Sequence, residues 1–105
     1  MDVIISKNNI PIRLTIERWL HIVEMHDDMA GYYDYVLNAI EDPEYIIRGY
    51  KEAIIALKEM RKGKFLAVVY KELSEKDGFI ITAYFRHGSK LFITRSQIVQ
   101  RITTP

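Results

Sequence analysis

The sequence predicts an α+β domain, with helices first and an antiparallel meander of strands after them. Three observations carry that expectation. Apolar residues recur at helical spacing at Ile16, Trp19, Leu20 and Val23, and again at Met29, Tyr33, Val36, Leu37 and Ile40. From Lys64 the period changes to two, with Phe65, Ala67 and Val69 on one face and Leu66, Val68 and Tyr70 on the other. Turn-forming clusters, Glu75-Lys76-Asp77-Gly78 and His87-Gly88-Ser89-Lys90, then divide the strand-like segments.

Met1 to Arg13 reads as a short strand or extended lead-in around Val3 to Ile5, followed by a turn at Asn8-Asn9 and Pro11. Thr15 is placed to cap a helix, and Glu17 falls in the first turn, where the helix dipole favours an acid. That helix is expected to reach Asp27 or Asp28. Gly31 interrupts it, and a second helix or a kinked continuation ends before Asp42-Pro43. Residues 43–62 fit two descriptions. Asp42-Pro43-Glu44 resembles a helix start, and Ile46, Ile47, Tyr50, Ile54 and Leu57 can line a helix closed by Gly63. Yet Gly49 lies inside, and Tyr45-Ile46-Ile47 and Ala53-Ile54-Ile55 also fit two short strands. The local pattern leans to helix.

Lys64 to Leu73 is apolar on both faces, which places it centrally in a sheet. Asp77-Gly78 is a hairpin signal. Gly78 to Arg86 is the partner strand, with Phe79, Ile81, Ala83 and Phe85 on one face and Ile80, Thr82, Tyr84 and Arg86 on the other. Helices are expected to cover the first of these faces and to leave the second partly open. Leu91 to Thr94 reads as a further strand and Ser96 to Ile102 as a short helix.

At 105 residues and 12.4 kDa the chain is expected to form one domain over 1–105. A 49% hydrophobic content excludes a disordered chain. The absence of cysteine excludes disulfides, thiolate nucleophiles and cysteine-ligated zinc. No apolar run is long enough to span a bilayer, and Met1 to Lys7 lacks the features of a secretory signal, so the cytoplasm is the expected location. Net charge is +1, but residues 1–44 hold three basic and nine acidic residues, whereas residues 45–105 hold twelve and five. Such asymmetry suits a surface that faces a polyanion, and equally a chance partition of surface charge.

The chemistry-bearing candidates are few. His21 and His26 are five residues apart, roughly 140° around a helix, and lack the glutamate and four-residue spacing of a metalloprotease, so no metal site is expected. His26 continues the Ile16, Trp19, Val23 stripe. His21 flanks it, and His87 sits in a turn. Histidines at such places are most often boundary or helix-end residues. Thr82 and Tyr84 place two hydroxyls on one strand face, Arg86 extends the row, and Arg48 and Lys71 are cations on neighbouring segments. Strand propensity alone accounts for the threonine and the tyrosine. Together, however, these residues match what RNA cleavage through its own 2′-hydroxyl requires: a base, an acid and cations around the phosphorane. Tyrosine also offers a stacking surface to single-stranded RNA.

Trp19-Leu20-His21-Ile22, followed by His26, resembles the helix of phage-type nucleases in the barnase, EndoU, colicin and RelE-like group. Lys64 to Glu72 and Gly78 to Phe85 resemble that family's paired strands, and Thr82-Ala83-Tyr84 is the most specific part. The resemblance covers roughly Thr15 to Ile93. It implies helices packed on a roughly four-stranded antiparallel sheet, with Tyr45 to Tyr50 and Ala53 to Met60 as strands. It also implies a metal-independent ribonuclease toxin without a cofactor, acting on RNA and restrained by a small antitoxin. His26 would be the acid–base residue with His21 as its partner. Arg48 or Lys71 would hold the phosphate, and Thr82 and Tyr84 would line the site. Where the family helix commonly reads Arg-His-Pro-Glu, this chain has Met25-His26-Asp27-Asp28. A non-catalytic RNA- or protein-binding domain is the alternative expectation.

Overall fold

The computed structural model describes residues 1–88 and the backbone of 98–101. Thr15 caps the first helix as expected: its backbone is extended and its hydroxyl accepts the Arg18 N–H at 3.1 Å. Helix α1 runs over Ile16–Met25 and stops one turn earlier than the periodicity suggests. At His26 the backbone leaves helical geometry (φ −137°, ψ 81°), although its N–H still donates to the Ile22 carbonyl. A single 3₁₀ turn, Asp27–Met29, follows. Gly31, at φ +88°, then turns the chain into α2, Tyr33–Glu41, which ends at Asp42 before Pro43.

Among the described residues, seven strands follow the chain as β1 (Asp2–Ile5), β2 (Pro11–Leu14), β3 (Tyr45–Arg48), β4 (Ile54–Arg61), β5 (Lys64–Ser74), β6 (Asp77–His87) and β7 (Ile98–Arg101). Residues 43–62 are therefore strands and not the helix that the local pattern favours. Ile46 packs on one side of the sheet beside Ala56, while Tyr45, Ile47 and Leu57 bury on the other, so long-range pairing overrides the helical spacing.

The α+β class holds, but the four-stranded antiparallel sheet does not. The strands lie in the order β1-β2-β6-β5-β4-β3, with β7 beyond β3, and β2 runs parallel to β6. The antiparallel meander β3 to β6 is the middle of this larger mixed sheet. The N-terminal segment supplies two extra strands. Asn9 takes the left-handed conformation (φ 64°) at the turn, and Pro11 opens β2, a position where a missing N–H is tolerated. Ile12 and Leu14 then enter the core completely. The tail helix expected around Ser96 to Ile102 is also corrected, because Ile98–Arg101 pairs antiparallel with β3 and completes its open edge. The strand expected at Leu91 to Thr94 lies outside the described residues.

Both helices pack on one face, over Ala56, Leu66, Val68, Tyr70, Ile80 and Ala83. The opposite face carries a smaller cluster of Tyr45, Ile47, Leu57, Phe65 and Ala67, edged by Ile55 and Tyr84. β5 is thus buried on both faces, as its sequence predicts.

The β3–β4 hairpin has an unusual tip. Lys51 and Glu52 both have positive φ (52° and 67°), and Ala53 N–H donates to the Tyr50 carbonyl at 3.1 Å. This geometry is normally filled by Asn-Gly. Glu52→Gly is expected to stabilise the fold by about 0.5–1 kcal/mol, the left-handed penalty less the entropy of glycine, read as a higher Tm.

Two tyrosines hold their protons unusually tightly. Burial, and then the charge of Glu72, raise the Tyr70 phenol well above its ordinary value. Tyr33 is pushed up from 10.0 to about 12, by burial first and then by donating a 2.7 Å hydrogen bond to Asp2. The unfolded chain loses these protons at lower pH than the folded one. Their contribution is therefore intact below pH about 10 and is lost as pH rises above it. Denaturant midpoints should fall between pH 10 and 12, and less steeply in Tyr70→Phe.

Candidate active site

β2 pairs only with the start of β6, Ile12 with Gly78 and Arg13 with Phe79. Beyond that point one edge of β6 has no strand partner among the described residues. Helix α1 and the 3₁₀ turn contact β6, and His26 between them meets Tyr84.

A β-bulge reshapes this edge. Val69 faces Thr82, but Tyr70 faces Ile80, so Ile81 is an extra residue in β6. The bulge also corrects the expected faces. Ile80 joins Ala83 and Phe85 on the helix-covered side, whereas Phe79 stands opposite Lys71 on the side of Thr82 and Tyr84. The Ile81 carbonyl accepts a 3.3 Å hydrogen bond from Arg18 Nη1. Helix α1 is thereby tied to β6 at the bulge.

Three residues further along, the half-buried His26 ring lies against Tyr84, with centroids 6.0 Å apart and planes tilted by 36°. His26 is also the residue at which the backbone leaves helical geometry. Tyr32 meets Phe85 edge-on at 4.9 Å, and Lys64 Nζ sits 4.1 Å from the Phe85 ring centre.

Several predicted site residues thus come together. Thr82, Tyr84 and Arg86 stand in a row on one face of β6, all half-buried, whereas Lys71, on the same face of β5, stands opposite Phe79, about 13 Å along from Ala67, the partner of Tyr84. Phe79 extends the row, with the Arg13 guanidinium 5.8 Å from its ring centre. Arg13 is held there by two hydrogen bonds to Asp77, of 2.9 and 3.0 Å. The same bonds keep the Asp77 carboxyl below its ordinary value. Lys71, Arg86 and Arg18 form no ion pair with any described residue, whereas Lys58 is neutralised by Asp42 and Glu44.

Two further predicted residues do not join the cluster. Arg48 pairs with Ile54, on the helix-covered side of the sheet and three strands from β6, about 14 Å away. His21 is exposed and lines a separate open groove of about 250 Å³ with Thr15, Glu17 and Arg18. Arg18 is the residue that sequence reasoning missed. It is the one arginine or lysine in α1 and lies three positions before His21, a spacing that puts both on one helix face. Among the described residues, no group of three histidine or acidic side chains is arranged to hold a metal ion. No helix among them is long and apolar enough to cross a membrane. In comparisons with known proteins, no protein-family model matches the chain, and neither a curated protein nor a solved structure matches it.

Proposed function

We propose that this chain is a metal-independent endoribonuclease that cleaves single-stranded RNA, acting as a toxin that a small inhibitor protein restrains. The observation that carries the reading is the His26 imidazole seated against Tyr84 at the open edge of β6, with Thr82 and Arg86 on the same strand face.

The chemistry needs no external nucleophile. His26 accepts the proton of a 2′-hydroxyl as that oxygen bonds to phosphorus. The bond to the 5′-oxygen breaks, leaving a 2′,3′-cyclic phosphate on one fragment. The departing oxygen takes a proton from the Tyr84 phenol, and the imidazolium returns its own proton to the phenolate. Arg86, two residues beyond Tyr84 on the same face, balances the charge that builds on the phosphorane, and Thr82 adds a neutral donor. Phe79 and Tyr84 offer ring faces to unpaired bases. The resemblance of the Trp19 to His26 and Thr82-Ala83-Tyr84 segments to phage-type nucleases supports the toxin assignment.

The test is incubation of a mixed RNA pool with purified protein in excess EDTA, followed by analysis of the new ends. Fragments with 2′,3′-cyclic phosphate ends are the expected result. Intact RNA beside folded protein overturns the nuclease reading and favours a binding domain built on the same cationic, aromatic strand face.

A further inference from the structure

We propose that the groove beside α1 is a phosphate subsite, in which Arg18 and His21 hold a phosphodiester of the bound strand adjacent to the one that is cut. This deepens the ribonuclease reading and rests on it. The groove, about 250 Å³, is lined by Thr15, Glu17, Arg18 and His21. It therefore holds an arginine and a histidine within one concave surface.

Arg18 is prepared for an anion. One of its donors is spent on the Ile81 carbonyl, which orients the planar guanidinium between helix and strand. It forms no ion pair with any described residue, Glu17 of the same groove included, and so keeps donors for an anion. The Thr15 hydroxyl is occupied by its capping bond to Arg18 N–H and is not the anion's principal partner. His21 is exposed at the same groove.

The position along the strand fits a single chain of RNA. Arg18 touches β6 at Ile81 and His26 touches it at Tyr84. Three residues of strand separate the two points by about 10 Å. A strand laid along this open edge would present one phosphate to His26 and Tyr84 and a neighbouring one to Arg18. In this arrangement His21 is a binding residue and not the acid–base partner of His26.

Glu17 supplies the diagnostic. Its carboxylate lines the same groove and opposes any anion there. A groove that binds phosphate must bind it more tightly when that charge is removed. A purely structural role for Arg18 predicts no such gain.

The experiment measures binding of a short single-stranded RNA carrying 2′-O-methyl groups throughout, which cannot be cut, alongside cleavage of the unmodified strand. Arg18→Gln is expected to weaken binding of the methylated strand about tenfold, the worth of one charge-assisted hydrogen bond. His21→Gln should weaken it about threefold and Glu17→Gln should tighten it about threefold. Arg18→Lys, which keeps the charge, should recover part of the loss. Circular dichroism and melting confirm that each variant is folded, and the exposed Glu17 provides a readout even if Arg18 variants are unstable. Unchanged affinity in both Arg18→Gln and Glu17→Gln overturns the subsite, as does failure of the wild type to bind the methylated strand. If binding depends on Arg18 and Glu17 as described but the unmodified strand stays intact, the subsite stands and the nuclease reading is the part that fails.

Discussion

His26→Ala lowers RNA cleavage in excess EDTA by about a hundredfold or more, within the range for loss of a general acid–base group. The effect should appear in kcat, because in the proposed reaction the imidazole acts as the 2′-oxygen bonds to phosphorus. The variant should remain folded. The His26 side chain makes no capping hydrogen bond, and the N–H that closes α1 belongs to its backbone. Tyr84→Phe keeps the ring against His26 and the Phe65 side of the sheet while removing the hydroxyl, and should cost less, about tenfold to a hundredfold. Equal cleavage by wild type and His26→Ala would move the chemistry away from this edge altogether.

The largest effect on stability is expected at a residue with no side chain. Gly78→Ala should destabilise the fold by about 2–3 kcal/mol, and Gly78→Val by more. A Cβ at Gly78 would lie 2.5 Å from Ile12 Cδ1 and 2.6 Å from the Lys71 carbonyl oxygen. The isoleucine tip can move, but the carbonyl belongs to the paired backbone of β5 and cannot. Relief requires β2 and β5 to separate from β6 at the point where the N-terminal hairpin joins the sheet. Gly31→Ala is the contrast. Its Cβ meets nothing within 4 Å, and only the backbone angle of +88° is strained, so about 1 kcal/mol is expected. Urea unfolding of the two variants separates crowding from strain. Equal losses would show that β2 does not press on β6 as closely as described.

Gly78 also marks the limit of what could be read from the chain. Asp77-Gly78 has the composition of a hairpin turn, yet the turn is Glu75-Lys76 and β6 already begins at Asp77. The glycine serves the approach of β2, and the aspartate holds Arg13. The partner of the aspartate and the strand that approaches the glycine both lie more than sixty residues away in sequence, beyond any local pattern, and only the Lys71 carbonyl is near. The helix cap at Thr15, the break at Gly31 and the two-sided burial of β5 were legible because each is decided by neighbours within a few positions. The extra strands were not, since β2 and β7 owe their existence to edges that other segments provide. The row of Thr82, Tyr84 and Arg86 was legible because strand alternation places it. The bulge at Ile81 is what escaped, and with it the placing of Phe79 on the face of Thr82 and the recruitment of Arg18.

The parallel pairing of β2 with β6 has a consequence for the order of folding. Meander neighbours β3 to β6 meet through short hairpins, so their loop-closure entropy is small. Ile12 meets Gly78 only after a far longer segment of chain, with both helices, has been closed into a loop. Contacts of that separation slow the approach to the native state. The meander is therefore expected to form first and the N-terminal hairpin to dock later, with the start of α1. Arg18 reaches the Ile81 carbonyl only at that step. A nascent chain assembled this far but no further would hold the row of Thr82, Tyr84 and Arg86 without the helix that brings His26 to it.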